Sequence, residues 1–152
     1  MREERGEAIL EILSDEVRQD LIGDSHHRNE KTTVSAFELR NGRLSQITVN
    51  TPLDLKCLKP IWVDLVAPTP EIRAWVGRVF DVQLPNPSNL TDLEASARFY
   101  VEDNGEIHLH SDFLLDTKEG SRNVAVALIL HRDVLFSVRT EELPIFRLQR
   151  LR

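Results

Sequence analysis

The first thirty residues contain an apolar stripe with the spacing of one helix face. The members of this stripe are Ile9, Ile12, Leu13, Val17 and Leu21. Because charged residues separate them, the pattern predicts an amphipathic helix over residues 7–22, which Gly23 would end. The next segment, Asp24–Lys31, is wholly polar. We therefore divide the chain into an N-terminal helix with a polar linker, residues 1–31, and a domain over residues 32–152.

Strand-like patterns begin directly after the linker. The runs Thr33–Leu39 and Arg43–Val49 flank Asn41-Gly42, a pair of residues that tolerate positive φ and favour a tight hairpin. The run Ile61–Val66 is almost continuously apolar. That pattern is typical of a central strand covered on both faces.

A helix is predicted from Pro70 to Phe80. Thr69 can cap its first turn, Pro70 suits the first helical position, and Glu71 faces the positive end of the helix dipole. The apolar positions that follow form one stripe: Ile72, Trp75, Val76, Val79 and Phe80. This spacing predicts a helix packed on a sheet.

The second half of the chain continues the mixture of strands and helices. The segment Pro85–Asn89 interrupts it, and a short helical turn is predicted at Leu90–Ala95. The further elements are a hairpin of Arg98–Val101 and Glu106–Leu115 across Asn104-Gly105, a strand pair Val124–Leu130 and Val134–Arg139, and a helix from Thr140 with Pro144 in its first turn. The predicted fold class is α/β (α+β layered), with a mixed β-sheet that contains antiparallel hairpins and is flanked by helices.

Charge and composition exclude several classes of function. The 152 residues include 25 acidic and 19 basic side chains, a net charge of −6, which argues against a nucleic-acid partner because phosphate binding needs a basic surface. The single cysteine, Cys57, excludes an internal disulfide. The longest apolar stretch, Val124–Leu130, is far shorter than the ~20 residues of a spanning helix. The sequence has no nucleophile elbow or phosphate-binding glycine loop, so we expect no enzymatic activity.

The string His108-Leu109-His110-Ser111-Asp112 is the most metal-like in the sequence. On a strand, alternate side chains share a face, so His108, His110 and Asp112 would point the same way and could bind zinc or iron. No further ligand signature accompanies them, and we favour the polar face of a half-exposed strand. The residues that would then face inward are Ile107, Leu109 and Phe113.

Asp92 and Glu94 form a small acidic cluster after the Pro85–Asn89 interruption. Near a helix N-terminus, Asp92 would cap free N–H groups and be stabilised by the helix dipole. Carboxylates are also the protein ligands that Mg²⁺ accepts, often only one or two at a time. Spacing favours the cap and leaves both interpretations open.

The sequence resembles the cytoplasmic N-terminal domain of the CorA family of magnesium transporters. The segments that carry the resemblance run in order from about residue 33 to the end of the chain. They are Ser35–Leu39, Asn41–Leu44, Ile61–Pro68, Asp92–Phe99, Ile107–Ser111 and Leu143–Leu148.

The resemblance implies a homopentamer in the cell inner membrane, with this domain in a cytoplasmic funnel. In the family, a long stalk helix and two membrane helices follow, with a Gly-Met-Asn signature at the pore entrance. None of these occurs in the 152 residues, so the membrane would be contacted only through that further C-terminal part. Residues 1–30 precede the usual start of the family, and the resemblance implies nothing about them.

The resemblance also gives Asp92 a role. In the family, an aspartate at this position contributes to a regulatory Mg²⁺ site between subunits. Thr91 stands where the family often has a second acid, which weakens the auxiliary site, and Glu94 is a weaker candidate ligand. The partner carboxylate would lie on the stalk helix of a neighbouring subunit, so we expect weak Mg²⁺ binding by this domain alone.

The implied function is regulation of passive uptake of magnesium, and of cobalt or nickel, by sensing internal Mg²⁺. Three alternatives remain open at this point. One is the domain of a ZntB-like zinc transporter. Another is a free-standing metal-binding enzyme that uses the His-x-His-x-Asp strand. The third is an interaction module that docks a partner through Ile9, Leu13 and Val17.

Overall fold

The computed structural model describes residues 31–90, 94 and 97–150. Within these ranges a seven-stranded sheet carries helices on both faces. The strands are β1 Thr33–Arg40, β2 Arg43–Thr48, β3 Trp62–Val66, β4 Phe99–Val101, β5 Ile107–Thr117, β6 Gly120–His131 and β7 Val134–Arg139. The helices are α1 Pro52–Lys56, α2 Pro70–Phe80 and α3 Pro144–Arg150, with a 3-10 helix at Pro87–Asn89.

The sheet is mixed, as the sequence predicts. Its strand order is β2-β1-β3-β7-β6-β5-β4. The central strands β3 and β7 run parallel, while the other neighbours are antiparallel. The predicted α/β class and the interior position of Ile61–Val66 are confirmed, although the strand itself begins at Trp62.

The three predicted strand pairings are also confirmed. In the β1–β2 turn, Asn41 and Gly42 have φ values of 51° and 74°, the left-handed conformation that a two-residue hairpin turn requires. β4 pairs with β5 around a loop that contains Gly105, and β6 pairs with β7 through a turn at Arg132 and Asp133.

One face of the sheet is covered by α1 and α2. Leu55 of α1 and Val76 of α2 are buried against apolar side chains of the central strands. Phe80 meets Phe136 edge to face, with ring centroids 5.2 Å apart. The predicted bounds of α2 are confirmed, and Thr69 caps it by accepting a 3.2 Å hydrogen bond from the Ile72 amide.

The opposite face is covered by α3 at its centre. Leu143 and Phe146 are buried in a second apolar cluster, against strand residues that include Val124 and Val126. Trp62 joins this layer and stacks on Phe37 at a centroid distance of 4.3 Å. The protein is therefore a three-layer arrangement with two separate cores.

Several element predictions were incomplete or wrong. α1 was not predicted, because five residues are too few to show a helical period. The last helix begins at Pro144 rather than Thr140, and the Pro85–Asn89 interruption contains the 3-10 helix. The predicted helix over residues 7–22 lies outside the described residues, as does most of the predicted turn at Leu90–Ala95.

Gly77 provides a test of the packing at the end of α2. A Cβ atom at this position would lie 2.5 Å from the backbone oxygen of Val82, whose amide donates to the Gly77 carbonyl at 3.0 Å. Gly77→Ala should therefore destabilise the protein by about 1–3 kcal/mol, although alanine is the better helix former. Urea unfolding measures this loss.

The matched control is Arg78→Ala, the next position of the same helix and an exposed one. It should change the free energy of unfolding by no more than about 0.5 kcal/mol. A Gly77→Ala variant as stable as the control would contradict the close approach.

Candidate functional site

The acidic cluster of the sequence analysis is only partly described. Asp92 lies outside the described residues, as does the neighbouring Thr91. Glu94 is exposed, and its backbone carbonyl accepts a 2.9 Å hydrogen bond from the Ala97 amide. Its carboxylate is thus presented to solvent shortly before β4 begins, and it is the type of ligand that Mg²⁺ accepts.

His108 and His110 lie on the α2 side of β5 and are buried, with exposed fractions of 4% and 8%. The prediction that they form a half-exposed polar face is wrong. Tyr100 of β4 stacks on the His108 ring at 4.6 Å and meets His110 edge to face at 5.9 Å.

The burial of the residues predicted to face inward also differs from the prediction. Leu109 is 41% exposed, because it lies on the opposite side of β5, beyond the cover of α3. Phe113 and Leu115, on that same side, are partly buried against the second core. The alternation of side chains along β5 was predicted correctly, but which of the two faces of this strand is buried was not.

Asp112 does not join the two histidines in a metal site. It forms a 3.1 Å ion pair with Arg98 instead. Across residues 31–90, 94 and 97–150, no three His, Cys, Asp or Glu side chains lie close enough together to hold a metal ion. The described structure therefore offers the two histidines no third ligand.

A buried carboxylate, Glu106, is the partner of His108. Its Oε2 lies 2.9 Å from His108 Nε2, while Oε1 accepts a 2.9 Å hydrogen bond from the Asn104 side chain. Burial alone would raise the pKa of Glu106, but these two hydrogen bonds and the nearby charges of His108 and His131 together outweigh it and lower the pKa. Since the ionised carboxylate can only accept, His108 must carry its proton on Nε2.

An open groove with a volume of about 1070 Å³ runs past this pair. It is lined by α2, by residues 81–85 and by the β4–β5 hairpin, and it includes Arg73, Tyr100 and His108. Among the described residues, His108 Nδ1 and Arg73 Nε have no hydrogen-bond partner. Both atoms are buried, so the groove does not present them to solvent, and acids such as Glu102 and Asp103 line it.

His110 has a different environment from His108. Within the described part of the chain neither of its ring nitrogens has a hydrogen-bond partner. Burial, and then the nearby charge of His108, lower the pKa of His110. The folded protein therefore keeps this imidazole neutral at neutral pH.

A second polar cluster lies on the other face, under α3. Asp64 and Arg139 are 1% and 0% exposed and form a two-pronged ion pair, in which Arg139 Nη2 lies 3.0 Å from Asp64 Oδ2. The Ser137 hydroxyl donates to Asp64 at 2.6 Å and accepts from the Trp62 indole at 2.9 Å. The guanidinium of Arg139 also lies 4.0 Å from the centre of the Phe146 ring.

This cluster connects α3 to the central strands. Arg150 contacts Asp64 at 3.4 Å and Glu142 at 2.8 Å, and Glu142 also accepts from Arg139 at 2.9 Å. Burial alone would raise the pKa of Glu142, but Arg150 and Arg139 outweigh it, so the pKa is lowered. Contacts at both ends of α3 therefore connect this helix to the buried Asp64–Arg139 pair.

The sequence analysis missed both clusters. One signal was present: Asp64 interrupts an apolar run, and a buried carboxylate needs a cationic or hydrogen-bonding partner. Its partner Arg139 is 75 residues away. Only the parallel pairing of β3 with β7 brings the two together.

The fold and these clusters define an α/β domain with a charged network under its last helix. None of the helices within residues 31–90 and 97–150 has the length and apolarity of a membrane span. No protein-family model matches the chain.

Curated relatives identify the relationship. Magnesium transport proteins CorA from Escherichia coli K12, Shigella flexneri and Salmonella typhimurium LT2 are each 38% identical to the chain over 120 residues, 78% of its length. These matches show a CorA-family relationship, as the sequence motifs indicate. The matched residues make up 37% of each relative, so the chain spans little more than a third of their length.

The buried ion pair leads to a stability prediction. Arg139→Met should lower the free energy of unfolding by about 3–5 kcal/mol, because it leaves Asp64 buried without its main partner. Combining it with Asp64→Leu should recover most of that loss, since an apolar pair does not carry the desolvation cost. Urea unfolding of the two variants measures both effects.

The control is Arg40→Met, which removes an ion pair to Glu38 from an arginine that is 64% exposed. It should cost less than about 1 kcal/mol. If the double variant is as unstable as Arg139→Met alone, the loss does not come from an unpaired buried charge.

His110 should make stability depend on pH. Its pKa is lower in the folded than in the unfolded chain, so its contribution is complete above the unfolded value of about 6.5 and is lost as pH falls through the folded pKa. The slope can reach about 1.4 kcal/mol per pH unit. Unfolding at pH 7.5 and pH 5.5 should therefore show a stability loss that His110→Leu reduces.

The matched control is His27→Leu, at a histidine in the polar linker. It should leave the pH dependence unchanged. An identical loss of stability in the wild-type and His110→Leu proteins would contradict a titrating role for His110.

Proposed function

We propose that this chain is the cytoplasmic regulatory domain of a CorA-like transporter for magnesium, and for cobalt or nickel. The observation that carries the proposal is its 38% identity to magnesium transport proteins over 120 residues. The domain contributes regulation and no catalysis. Uptake is passive, and internal Mg²⁺ bound by this domain holds the transporter closed.

The proposed sensor is a Mg²⁺ site between subunits, with Asp92 as the ligand from this domain and Glu94 as a weaker one. The exposed carboxylate of Glu94 supports a site at the surface, where a neighbouring subunit can supply further oxygen ligands. Bound Mg²⁺ can favour the closed state only by the difference between its affinities for the closed and open states.

The attachment of α3 supports a mechanical role for the domain. Arg150, near the end of α3, contacts the buried Asp64 of the central strand β3. A displacement of the sheet would therefore be transmitted to α3, because breaking this network would leave charges unpaired in the interior. We propose that α3 carries the movement of the domain towards the rest of the transporter.

The assembly and location follow from the same proposal. The full-length protein is a homopentamer in the cell inner membrane, this domain faces the cytoplasm, and membrane contact is made by the C-terminal part that the longer relatives contain. Divalent cations and other copies of the same subunit are its partners.

The proposal can be tested by Mg²⁺ uptake of a full-length transporter that contains this domain. Asp92→Ala should raise the internal Mg²⁺ concentration at which uptake stops, because one sensor ligand is lost from each interface. Mg²⁺-dependent protection from protease should shift in the same direction. Mg²⁺ binding to the present chain alone should be weak, since one or two carboxylates rarely offset the reluctance of Mg²⁺ to lose water.

Asp103→Ala, at an exposed acid of the β4–β5 loop, is the matched control and should leave the threshold unchanged. If Asp92→Ala leaves the internal Mg²⁺ concentration at which uptake stops unchanged, Asp92 is not a ligand of the sensor. Uptake of Zn²⁺ in place of Mg²⁺ would favour the zinc-transporter alternative, and absence of any divalent-cation uptake would refute the proposed function.

A further inference from the structure

Two Asn-Gly pairs occur in the chain, Asn41-Gly42 and Asn104-Gly105. The first lies in the β1–β2 turn and the second in the β4–β5 loop, and all four residues are exposed. In such a pair the backbone nitrogen of the glycine can attack the asparagine side chain, because glycine has no side chain of its own to hinder the approach. The two pairs share this local chemistry, and the structure distinguishes them.

The side chain of Asn104 is held at both of its polar atoms. Its Nδ2 donates to Oε1 of the buried Glu106 at 2.9 Å, and its Oδ1 accepts from the Glu106 amide at 3.0 Å. The Gly105 amide, which would have to attack, donates to the Glu102 carbonyl at 2.9 Å. Both the attacking nitrogen and the side chain that it would attack are therefore engaged in hydrogen bonds.

The Asn41-Gly42 pair lacks these restraints. Within residues 31–90, 94 and 97–150, neither the Asn41 side chain nor the Gly42 amide has a hydrogen-bond partner. A Cβ atom at Gly42 would meet nothing within 4 Å, so the turn has open space around it. Because β2 is an edge strand, this turn can open locally without disturbing the central strands.

We propose that Asn41 is a site of spontaneous deamidation in the folded protein and that Asn104 is protected from this reaction. The Gly42 nitrogen forms a bond to Cγ of Asn41, the bond from Cγ to Nδ2 breaks, and Nδ2 leaves as ammonia with the proton of the Gly42 amide. Water then opens the resulting cyclic imide at either carbonyl carbon, which gives aspartate or isoaspartate. The net reaction consumes water and releases ammonia, and no electrons are transferred.

The two products should affect the β1–β2 hairpin differently. Aspartate keeps the length of the main chain and, like asparagine, tolerates the left-handed conformation of Asn41. Isoaspartate inserts an additional methylene group into the main chain, which a two-residue turn cannot accommodate while keeping the register of its strands. Isoaspartate at position 41 therefore loosens the edge strand β2, and aspartate does not.

Peptide mapping by mass spectrometry tests the proposal on the full chain, incubated in its folded form at neutral pH. Asn41 should convert at least about tenfold faster than Asn104, because Asn104 must first release hydrogen bonds to a charged group. The urea-unfolded chain is the control. There the two asparagines should convert at similar rates, since each is followed by glycine. Equal rates in the folded chain, or the same difference in urea, would overturn the proposal.

A substitution then tests the source of the protection. Glu106→Ala removes the acceptor of the Asn104 side chain, so conversion of Asn104 should rise towards that of Asn41, while the rate at Asn41 stays unchanged. An unchanged rate at Asn104 in a folded variant would contradict the protecting role of Glu106. If this variant does not fold, the comparison with the urea-unfolded chain still decides. Protease should also cleave β2 faster in the isoaspartate form than in Asn41→Asp, and equal cleavage would refute the loosening of β2.

Discussion

The buried ion pair between Asp64 and Arg139 constrains the rest of the architecture. Both side chains lie in the interior, where separating them would leave an uncompensated charge at a cost of several kcal/mol. Asp64 is directly opposite Ser137 in the parallel pairing of β3 and β7. A slip of one residue would turn Asp64 to the apolar side under α2, because side chains alternate between the faces of a strand. The pair therefore helps to fix the register of the two central strands, and through Arg150 it also fixes where α3 lies.

The position of α3 in turn divides its side of the sheet into two unequal parts. The half near β3 and β7 is covered, while the half formed by β4 and β5 keeps exposed apolar side chains such as Phe99 and Val101. On the opposite side of the same strands, His108 and His110 are buried next to Tyr100. The β4–β5 hairpin thus combines a polar, buried face with an apolar, exposed one, the reverse of the usual arrangement for a surface strand.

This reversal shows what sequence patterns can and cannot predict here. Turn chemistry and periodicity are local, and they predicted the Asn41-Gly42 hairpin, the bounds of α2 and the alternation along β5. Which side of β5 is buried depends on the layers that pack against it, and α2 and α3 are distant in sequence. The same holds for Asp64, whose partner is 75 residues away. The acids at positions 92 and 94 stand out as a cluster in the sequence, but their spacing favours a helix cap, and only the family resemblance gives Asp92 a role in a Mg²⁺ site.

The charge pattern of the domain restricts where a Mg²⁺ sensor can be built. Asp64 and Glu142 accept from arginines, and Glu106 accepts from His108 and Asn104. A cation would have to displace these partners, leaving an arginine or a histidine buried without its counter-charge, so these carboxylates are unavailable to Mg²⁺. Mg²⁺ also keeps several of its water molecules when it binds to proteins. The proposed sensor therefore needs acids at a hydrated surface, such as Glu94, and takes its further protein ligands from a neighbouring subunit. A site shared in this way between two subunits would respond to the distance between them, which is how the proposed sensor would act on the gate.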